Sequence, residues 1–317
     1  MITRSLVEDD ALQLTFDARL WPLLERWMPC GLESPAGAAR ATIELKPGWT
    51  PLRRPTVPPM LTLDRVRAWP DDKRGVMLRG GLPASGGVVS LESTRARLYV
   101  DPIPSSEAGG GADVYSMLTV SAALLLAALG RALVHAAAVV DPDGATWLLA
   151  GDARAGKSTT CVTLASAGWE YLSDDQVVLA TDAEGELRVD GWLRPFHLDR
   201  AAEGCEPTGE RREVLPTELG LDRWRRSARL GGVILPAVIP SEPTRLQPVR
   251  PADALAGLVR QSPWLLACPR TAPGVLRLLE RAVGTGAYRL ELGRDTFRRP
   301  DQLIRCLGEG SAAPDRS

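Results

Sequence analysis

The chain has 317 residues, a length that suits one large domain or two ordinary ones. Of these residues 44% are hydrophobic and 24% are charged, which is typical of globular proteins. Its formal net charge of −1 at pH 7 argues against a general nucleic-acid or membrane-surface partner. The five cysteines are odd in number and never form a C-x-x-C pair, which argues against a disulfide scaffold and against a zinc site.

The N-terminal residues lead from Met1 directly into acidic positions and lack the apolar stretch of a signal peptide. The most apolar run, residues 117–129, is too short to cross a bilayer and predicts a buried helix. We therefore expect a cytoplasmic protein without a membrane partner.

The first 104 residues predict a smaller, strand-rich N-terminal domain with one helical stretch near residues 20–28. Prolines are dense between Pro47 and Pro59, which prevents a long element there. The glycine-rich composition around residues 105–112 predicts a linker to a second domain over residues 113–308. Residues 309–317 predict a disordered tail.

The second domain begins with a predicted helix over residues 114–133 and an apolar strand over residues 134–141. A tight turn at 141–144 leads to a second strand at 146–150, so the two strands are expected to form a hairpin. Later strands are predicted at 169–172, 177–180, 233–235 and 288–292, and later helices at 158–167, 252–260 and 275–283.

A phosphate-binding motif follows that hairpin, because residues 151–158 match the G-x-x-x-x-G-K-S pattern. The glycines allow a tight loop whose backbone N–H groups face phosphates, and the helix that follows adds its N-terminal partial charge. Lys157 is expected to reach the β- and γ-phosphates and Ser158 to ligate Mg²⁺. The predicted nucleotide-binding residues are Gly151, Asp152, Ala153, Arg154, Ala155, Gly156, Lys157, Ser158 and Thr159.

Two adjacent carboxylates, Asp174 and Asp175, follow the loop at a short distance. Phosphoryl transfer needs one carboxylate near Mg²⁺ and a base for the attacking hydroxyl, although an Asp pair can also simply cap a turn. His135 lies on the strand expected to pair with the one that feeds the loop. Its ring is therefore either a candidate catalytic group or an ordinary core side chain.

Together these residues resemble the HPr kinase/phosphorylase C-terminal domain and its relatives, which include HPr-kinase-like kinases of peptide serines. The parallels are the His135 strand, the P-loop and the Asp pair, over about residues 115–182. The resemblance implies a mixed α/β fold whose P-loop core is HPr-kinase-like or PEP-carboxykinase-like. It also implies that Asp174 is the base, that Ser158 and Asp175 serve Mg²⁺, and that His135 sits near the transferred phosphoryl group.

The chain also departs from that family. The bifunctional members carry a Glu-x-Arg-Gly-x-Gly-type signature after the Asp pair, which residues 186–197 do not match. A phosphorylase activity and HPr as the acceptor are therefore not implied. Arg194 and His197 in this segment are candidate contacts to phosphate or acceptor, or else solvated loop residues.

The leading hypothesis is a kinase that uses ATP and Mg²⁺ to phosphorylate a hydroxyl, with serine implied by the resemblance, on a peptide or small protein. The N-terminal domain would help to bind this acceptor. A second hypothesis is a kinase of a small-molecule hydroxyl in a biosynthetic pathway. A third is a non-catalytic nucleotide-binding regulatory protein. The sequence leaves these three open, and it predicts no oligomeric state.

Overall fold

The computed structural model describes residues 1–7, 9–24, 37–71, 75–82, 85–101, 110–192, 196–199, 211–221, 223–240, 243–293, 295–296 and 300–311. The chain divides into two compact units. The N-terminal unit consists of Met1–Leu133 and Ser262–Leu278, and the P-loop unit consists of Val134–Gln261 and Leu279–Ser317.

One mixed sheet forms the body of the N-terminal unit. Its strands are β1 (Ile2–Ser5), β2 (Leu12–Phe16), β3 (Ala41–Pro47), β4 (Leu61–Leu63), β5 (Val66–Asp71), β6 (Gly75–Arg79), β7 (Gly86–Ser90) and β8 (Arg95–Val100). They are ordered β1-β2-β3-β8-β7-β6-β5-β4. The β2–β3 and β3–β8 pairs are parallel, and the other neighbours are antiparallel.

One long helix of this unit packs on the sheet. Helix α1 (Trp21–Leu24) follows a 3₁₀ turn, and helix α2 (Gly110–Ala128) packs against β3, β7 and β8. The α2 side chains are buried almost all round, as expected for a helix with such an apolar sequence. None of the helices in the described ranges is long and apolar enough to cross a membrane.

Strand β9 (Ala132–Val134) contains the division between the units. The P-loop unit then holds β10 (Ala136–Val140), β11 (Ala145–Ala150), β12 (Glu170–Ser173), β13 (Gln176–Thr181), β14 (Leu187–Trp192), β15 (Phe196–Asp199), β16 (Arg211–Val214), β17 (Ser227–Val238), β18 (Arg245–Pro248) and β19 (Ala287–Leu292). Its helices are α3 (Lys157–Ser166), α4 (Pro251–Arg260), the second half of α5 (Ala272–Gly284) and α6 (Pro300–Ser311).

The main sheet of the P-loop unit has the order β12-β10-β11-β17-β14-β13. The long strand β17 pairs with β14 through its first half and with β19 through its second half. Strand β10 is antiparallel to both β11 and β12, whereas β11, β17 and β19 are parallel to one another. Strands β11, β12, β17 and β19 therefore all end at the same edge of the sheet.

The predicted mixed α/β class is confirmed, and so are the strand-rich N-terminal part and the hairpin, in which Ala136 pairs with Ala150. The predicted helix over 114–133 was wrong at its end, since α2 stops at Ala128. Gly130 adopts a φ of 75°, and the Arg131 N–H donates to the carbonyl of Leu126, which closes the helix as a left-handed C-terminal cap.

The division also differs from the predicted domain boundary at residue 113. Because α2 packs on the sheet of the N-terminal unit, residues 113–133 belong there. Of the predicted linker, residues 110–112 begin α2 and the remainder lies outside the described residues. Of the predicted tail, residues 309–311 continue α6, and residues 312–317 are likewise not described. The helical stretch near 20–28 is described as far as Leu24.

A close approach of strands β12 and β14 requires glycine at position 191. A Cβ at Gly191 would lie 2.2 Å from the Leu172 carbonyl oxygen and 2.6 Å from its Cδ2. We expect Gly191→Ala to lower the free energy of unfolding by about 1–3 kcal/mol in urea titrations, because neither strand can move without disturbing the sheet.

Gly284→Ala is the matched control in the same unit, because a Cβ there meets nothing within 4 Å. It should leave stability unchanged or raise it by up to about 1 kcal/mol, since alanine favours helix. Equal effects of the two substitutions would contradict the packing described for Gly191.

Candidate functional site

Sheet register brings three separate parts of the chain to one edge. Ala136 pairs with Ala150, so His135, which precedes β10, lies opposite the first residue of the P-loop. Ala138 pairs with Ser173, so the Asp174–Asp175 turn leaves β12 at the same edge. Residues that are distant in sequence therefore meet around the loop that follows β11.

The P-loop has the backbone conformation that its glycines allow. Gly156 has a φ of 99° and forms the N-cap of α3, which begins at Lys157. A Cβ at Gly156 would lie only 2.3 Å from Leu292 Cδ1, so both the φ angle and the space favour glycine. The first turn of α3 thus presents its backbone N–H groups at the loop, which is the usual arrangement of an anion site.

Lys157 spans this loop. Its Nζ donates to the carbonyl oxygens of Gly151, at 2.6 Å, and Asp152, at 3.2 Å. The side chain is largely buried, so its positive charge is held within the loop rather than extended into solvent. A cation fixed beside the N-terminus of α3 makes the loop attractive to phosphate groups.

A hydrogen bond connects the P-loop to the Asp pair. Ser158 Oγ donates to Asp174 Oδ2 at 3.0 Å, and the Asp174 side chain is buried, with 4% of the residue exposed. This contact places a hydroxyl and a carboxylate side by side at the start of α3.

The other carboxylate of the pair faces the histidine. Asp175 Oδ1 lies 3.1 Å from His135 Nδ1, and the His135 side chain is 36% exposed. His135 sits in a break between β9 and β10, where its N–H donates to the Gln261 carbonyl instead of to a strand partner. The break allows the ring to face the Asp pair and remain accessible from solvent.

Buried groups support the Asp turn from below. The Ser173 hydroxyl lies 2.6 Å from the Gln176 carbonyl oxygen and 2.9 Å from that of Trp192. The first contact ties the two ends of the turn to each other, and the second ties the turn to β14, the strand that approaches β12 closely at Gly191. The two carboxylates are therefore held on a rigid support.

Gln261 is a residue that the sequence analysis missed. Its side-chain Nε2 donates to Asp152 Oδ1 at 3.0 Å, while its backbone carbonyl accepts from the backbone N–H of His135 at 2.9 Å. It thus joins the P-loop to the histidine segment. No sequence pattern pointed to it, because it follows α4 as an ordinary polar residue, 109 positions after Asp152.

A buried thiol lies beneath the site. Cys161 Sγ is 4.0 Å from the Ala138 carbonyl oxygen and 3.9 Å from that of Ser173. Burial, with a further contribution from the negative charge of Asp174, raises the pKa of this thiol well above its ordinary value. Cys161 therefore remains a neutral packing residue rather than a nucleophile.

Ala155 and Thr159 are half-buried in the loop and in α3, and the other predicted site residues lie farther from the contacts described above. Ala153 and Arg154 lie on the exposed outer part of the loop, where Arg154 has a φ of 66°. Arg194 lies outside the described residues. His197 belongs to β15, which pairs with β16 in a separate two-stranded sheet, and its side chain is not described.

The donor set at the start of α3 fits Mg²⁺. Ser158 and Asp174 supply a hydroxyl and a carboxylate oxygen 3.0 Å apart, and oxygen donors are the ligands that Mg²⁺ prefers. Across the described ranges, no group of three or more His, Cys, Asp and Glu residues could hold a metal ion. Mg²⁺ usually takes only one or two protein carboxylates together with phosphate and water, which suits this pair.

Comparison with known proteins finds likenesses only among solved structures. No family model matches the chain, and no curated protein matches it. Among solved structures, the chain is similar to the Hpr(Ser) kinase/phosphatase from Coxiella burnetii, with 14% sequence identity and a TM-score of 0.31 over 56% of this chain and 97% of that one. At this identity and TM-score the likeness assigns no function, and the family resemblance of residues 115–182 stays a prediction.

The raised pKa of Cys161 makes stability depend on pH in the alkaline range. The folded state keeps the thiol proton, whereas the unfolded state releases it once the pH passes the ordinary thiol pKa. The stabilisation that the buried neutral thiol adds to the free energy of unfolding is therefore complete below the ordinary thiol pKa. It is lost as the pH rises above that value. Between about pH 8 and pH 10, wild type should lose about 1–2 kcal/mol more unfolding free energy than Cys161→Ala.

Urea titrations at several pH values measure this difference. Cys161→Ala also removes packing, but that cost is the same at every pH and does not alter the slope. Identical pH slopes for wild type and Cys161→Ala would show that the thiol ionises equally in both states, contrary to the burial described above.

Proposed function

We propose that this protein is a kinase that transfers the γ-phosphoryl group of ATP to a hydroxyl with the help of Mg²⁺. The observation that carries the proposal is the 3.0 Å hydrogen bond between Ser158 of the P-loop and Asp174. A P-loop alone binds phosphate, but phosphoryl transfer also needs acidic groups at the γ-phosphate end. The Ser158–Asp174 contact brings a phosphate-binding loop and an acidic group together at the start of α3.

The phosphate-binding part of the site acts through charge and position. The backbone N–H groups at the start of α3 and the Lys157 ammonium group would bind the phosphates. Ser158 and Asp174 would hold Mg²⁺, which when bound neutralises charge that develops on the transferred group. Gly156 keeps the loop in its left-handed turn so that these donors converge.

The contacts favour a distribution of roles that differs from the one implied by the family resemblance. That resemblance makes Asp174 the base and pairs Ser158 with Asp175, whereas Ser158 contacts Asp174 and Asp175 faces His135. We assign proton uptake to the His135–Asp175 pair. Asp175 holds a proton on the facing Nδ1, which leaves Nε2 of the accessible ring to take the proton of the acceptor hydroxyl.

The proposed acceptor is a peptide or a small protein, and serine follows from the resemblance of residues 115–182. The exposed outer part of the P-loop at residues 152–154 and the accessible His135 ring support an acceptor that approaches from solvent. The N-terminal unit is proposed to contribute to acceptor binding. A small-molecule hydroxyl remains the alternative acceptor, and the following experiment separates the two.

The test uses γ-labelled ATP, Mg²⁺ and an extract of the source cell, separated afterwards into protein, peptide and metabolite fractions. Wild type should label one fraction, and that fraction identifies the acceptor class. Lys157→Ala should reduce the label about tenfold or more, because the phosphates lose their buried cation. Asp143→Asn is the matched control, because this exposed Asp lies at the opposite end of β11 and should change labelling by less than about twofold.

The same assay separates the two carboxylates. Asp174→Asn should lose transfer at low Mg²⁺ and recover partly when Mg²⁺ is raised, because a metal ligand is weakened. Asp175→Asn and His135→Ala should lose about 100-fold at every Mg²⁺ concentration, since proton uptake is impaired. Absence of label in every fraction with wild type, despite bound nucleotide, would instead support a non-catalytic binding protein.

A further inference from the structure

The P-loop has neighbours on both sides along the sheet edge. On one side, across β10, lies the Asp174–Asp175 turn at the end of β12. On the other side, β17 and β19 end side by side, and Val238 pairs with Leu292 at their last residues. Ligands of open α/β sheets bind at the carboxyl ends of the strands. An elongated ligand at this edge can therefore extend from the Asp turn, across the P-loop, to the ends of β17 and β19.

An exposed apolar side chain borders the loop on the β17 side. Val238 is 53% exposed, yet its Cγ2 lies 3.4 Å from the position that a Cβ of Gly156 would occupy. Leu292 is buried directly beside the same glycine. Val238 therefore offers an apolar surface to solvent immediately next to the phosphate-binding turn.

This surface is firmly held. The Ile239 N–H donates to the Leu292 carbonyl at 3.0 Å, which extends the pairing of β17 and β19 beyond Val238. Farther along, the N–H of Thr244 donates to both oxygens of the buried Asp295 carboxylate at 2.9 Å, and the Thr244 hydroxyl accepts from the Gly293 N–H at 3.1 Å. The described residues after β17 are thus fastened to those after β19, and the backbone that carries Val238 is held against β19.

We propose that Val238 is the surface on which the nucleobase of ATP packs. This inference rests on the proposed kinase function, which requires the γ-phosphate to face Asp174, Asp175 and His135. Because the base is at the opposite end of the nucleotide from the γ-phosphate, it lies on the β17 side of the loop. The flat face of a base is apolar and gains affinity when it covers an exposed aliphatic side chain.

Two ligands separate base binding from phosphate binding. Calorimetric titration with Mg²⁺–ATP and with Mg²⁺–tripolyphosphate should show that wild type binds ATP more tightly. Val238→Ser should weaken ATP binding about fivefold and leave tripolyphosphate binding unchanged, because only the contact with the base is lost. Val57→Ser is the matched control, since Val57 is 58% exposed and lies in the N-terminal unit.

Each outcome has a definite meaning. Equal affinity of wild type for the two ligands, or an unchanged ATP affinity in Val238→Ser, would overturn the proposed base surface while leaving phosphate binding by the P-loop intact. Equal weakening of both ligands would also overturn it, because Val238 would then act through the loop. Failure of wild type to bind either ligand would refute the proposed function itself.

Discussion

The antiparallel position of β10 between β11 and β12 is the constraint on which the site depends. Because both neighbours run opposite to β10, their carboxyl ends reach the same edge, and the residue before β10 reaches it too. Strand pairing alone therefore brings the P-loop, the Asp pair and His135 together at this edge. The parallel strands β17 and β19 extend this edge on the other side, which gives the proposed nucleotide and acceptor one continuous edge to bind.

Charge is distributed along that edge in a definite order. The cation of Lys157 and the N-terminus of α3 lie at the loop, the buried Asp174 lies beside Ser158, and Asp175 lies beside His135. The thiol of Cys161 stays neutral beneath them because burial raises its pKa. This order suits a polyphosphate with a bound metal ion. The cationic loop would face the negative phosphates, and the carboxylate and hydroxyl would face the positive metal ion.

Local patterns predicted the parts of the site but not their pairing. The P-loop, the hairpin and the Asp pair could be predicted because turn residues, apolar runs and a fixed motif encode them within a few positions. Which Asp contacts Ser158 could not, since adjacent side chains on a turn point in different directions. The role of Gln261 and the assignment of α2 to the N-terminal unit depend on packing between distant segments, which sequence spacing does not report.

The measurement that tests the central claim most directly is a double-mutant cycle of Ser158→Ala and Asp174→Asn, read as ATP affinity with Mg²⁺ and with a chelator. Their direct hydrogen bond couples the two side chains even with the chelator. If they also hold one ion, the coupling energy with Mg²⁺ should exceed the coupling energy with the chelator by about 1 kcal/mol or more. Coupling energies that agree within about 0.5 kcal/mol with Mg²⁺ and with the chelator would contradict a shared metal site and, with it, the proposed basis of catalysis.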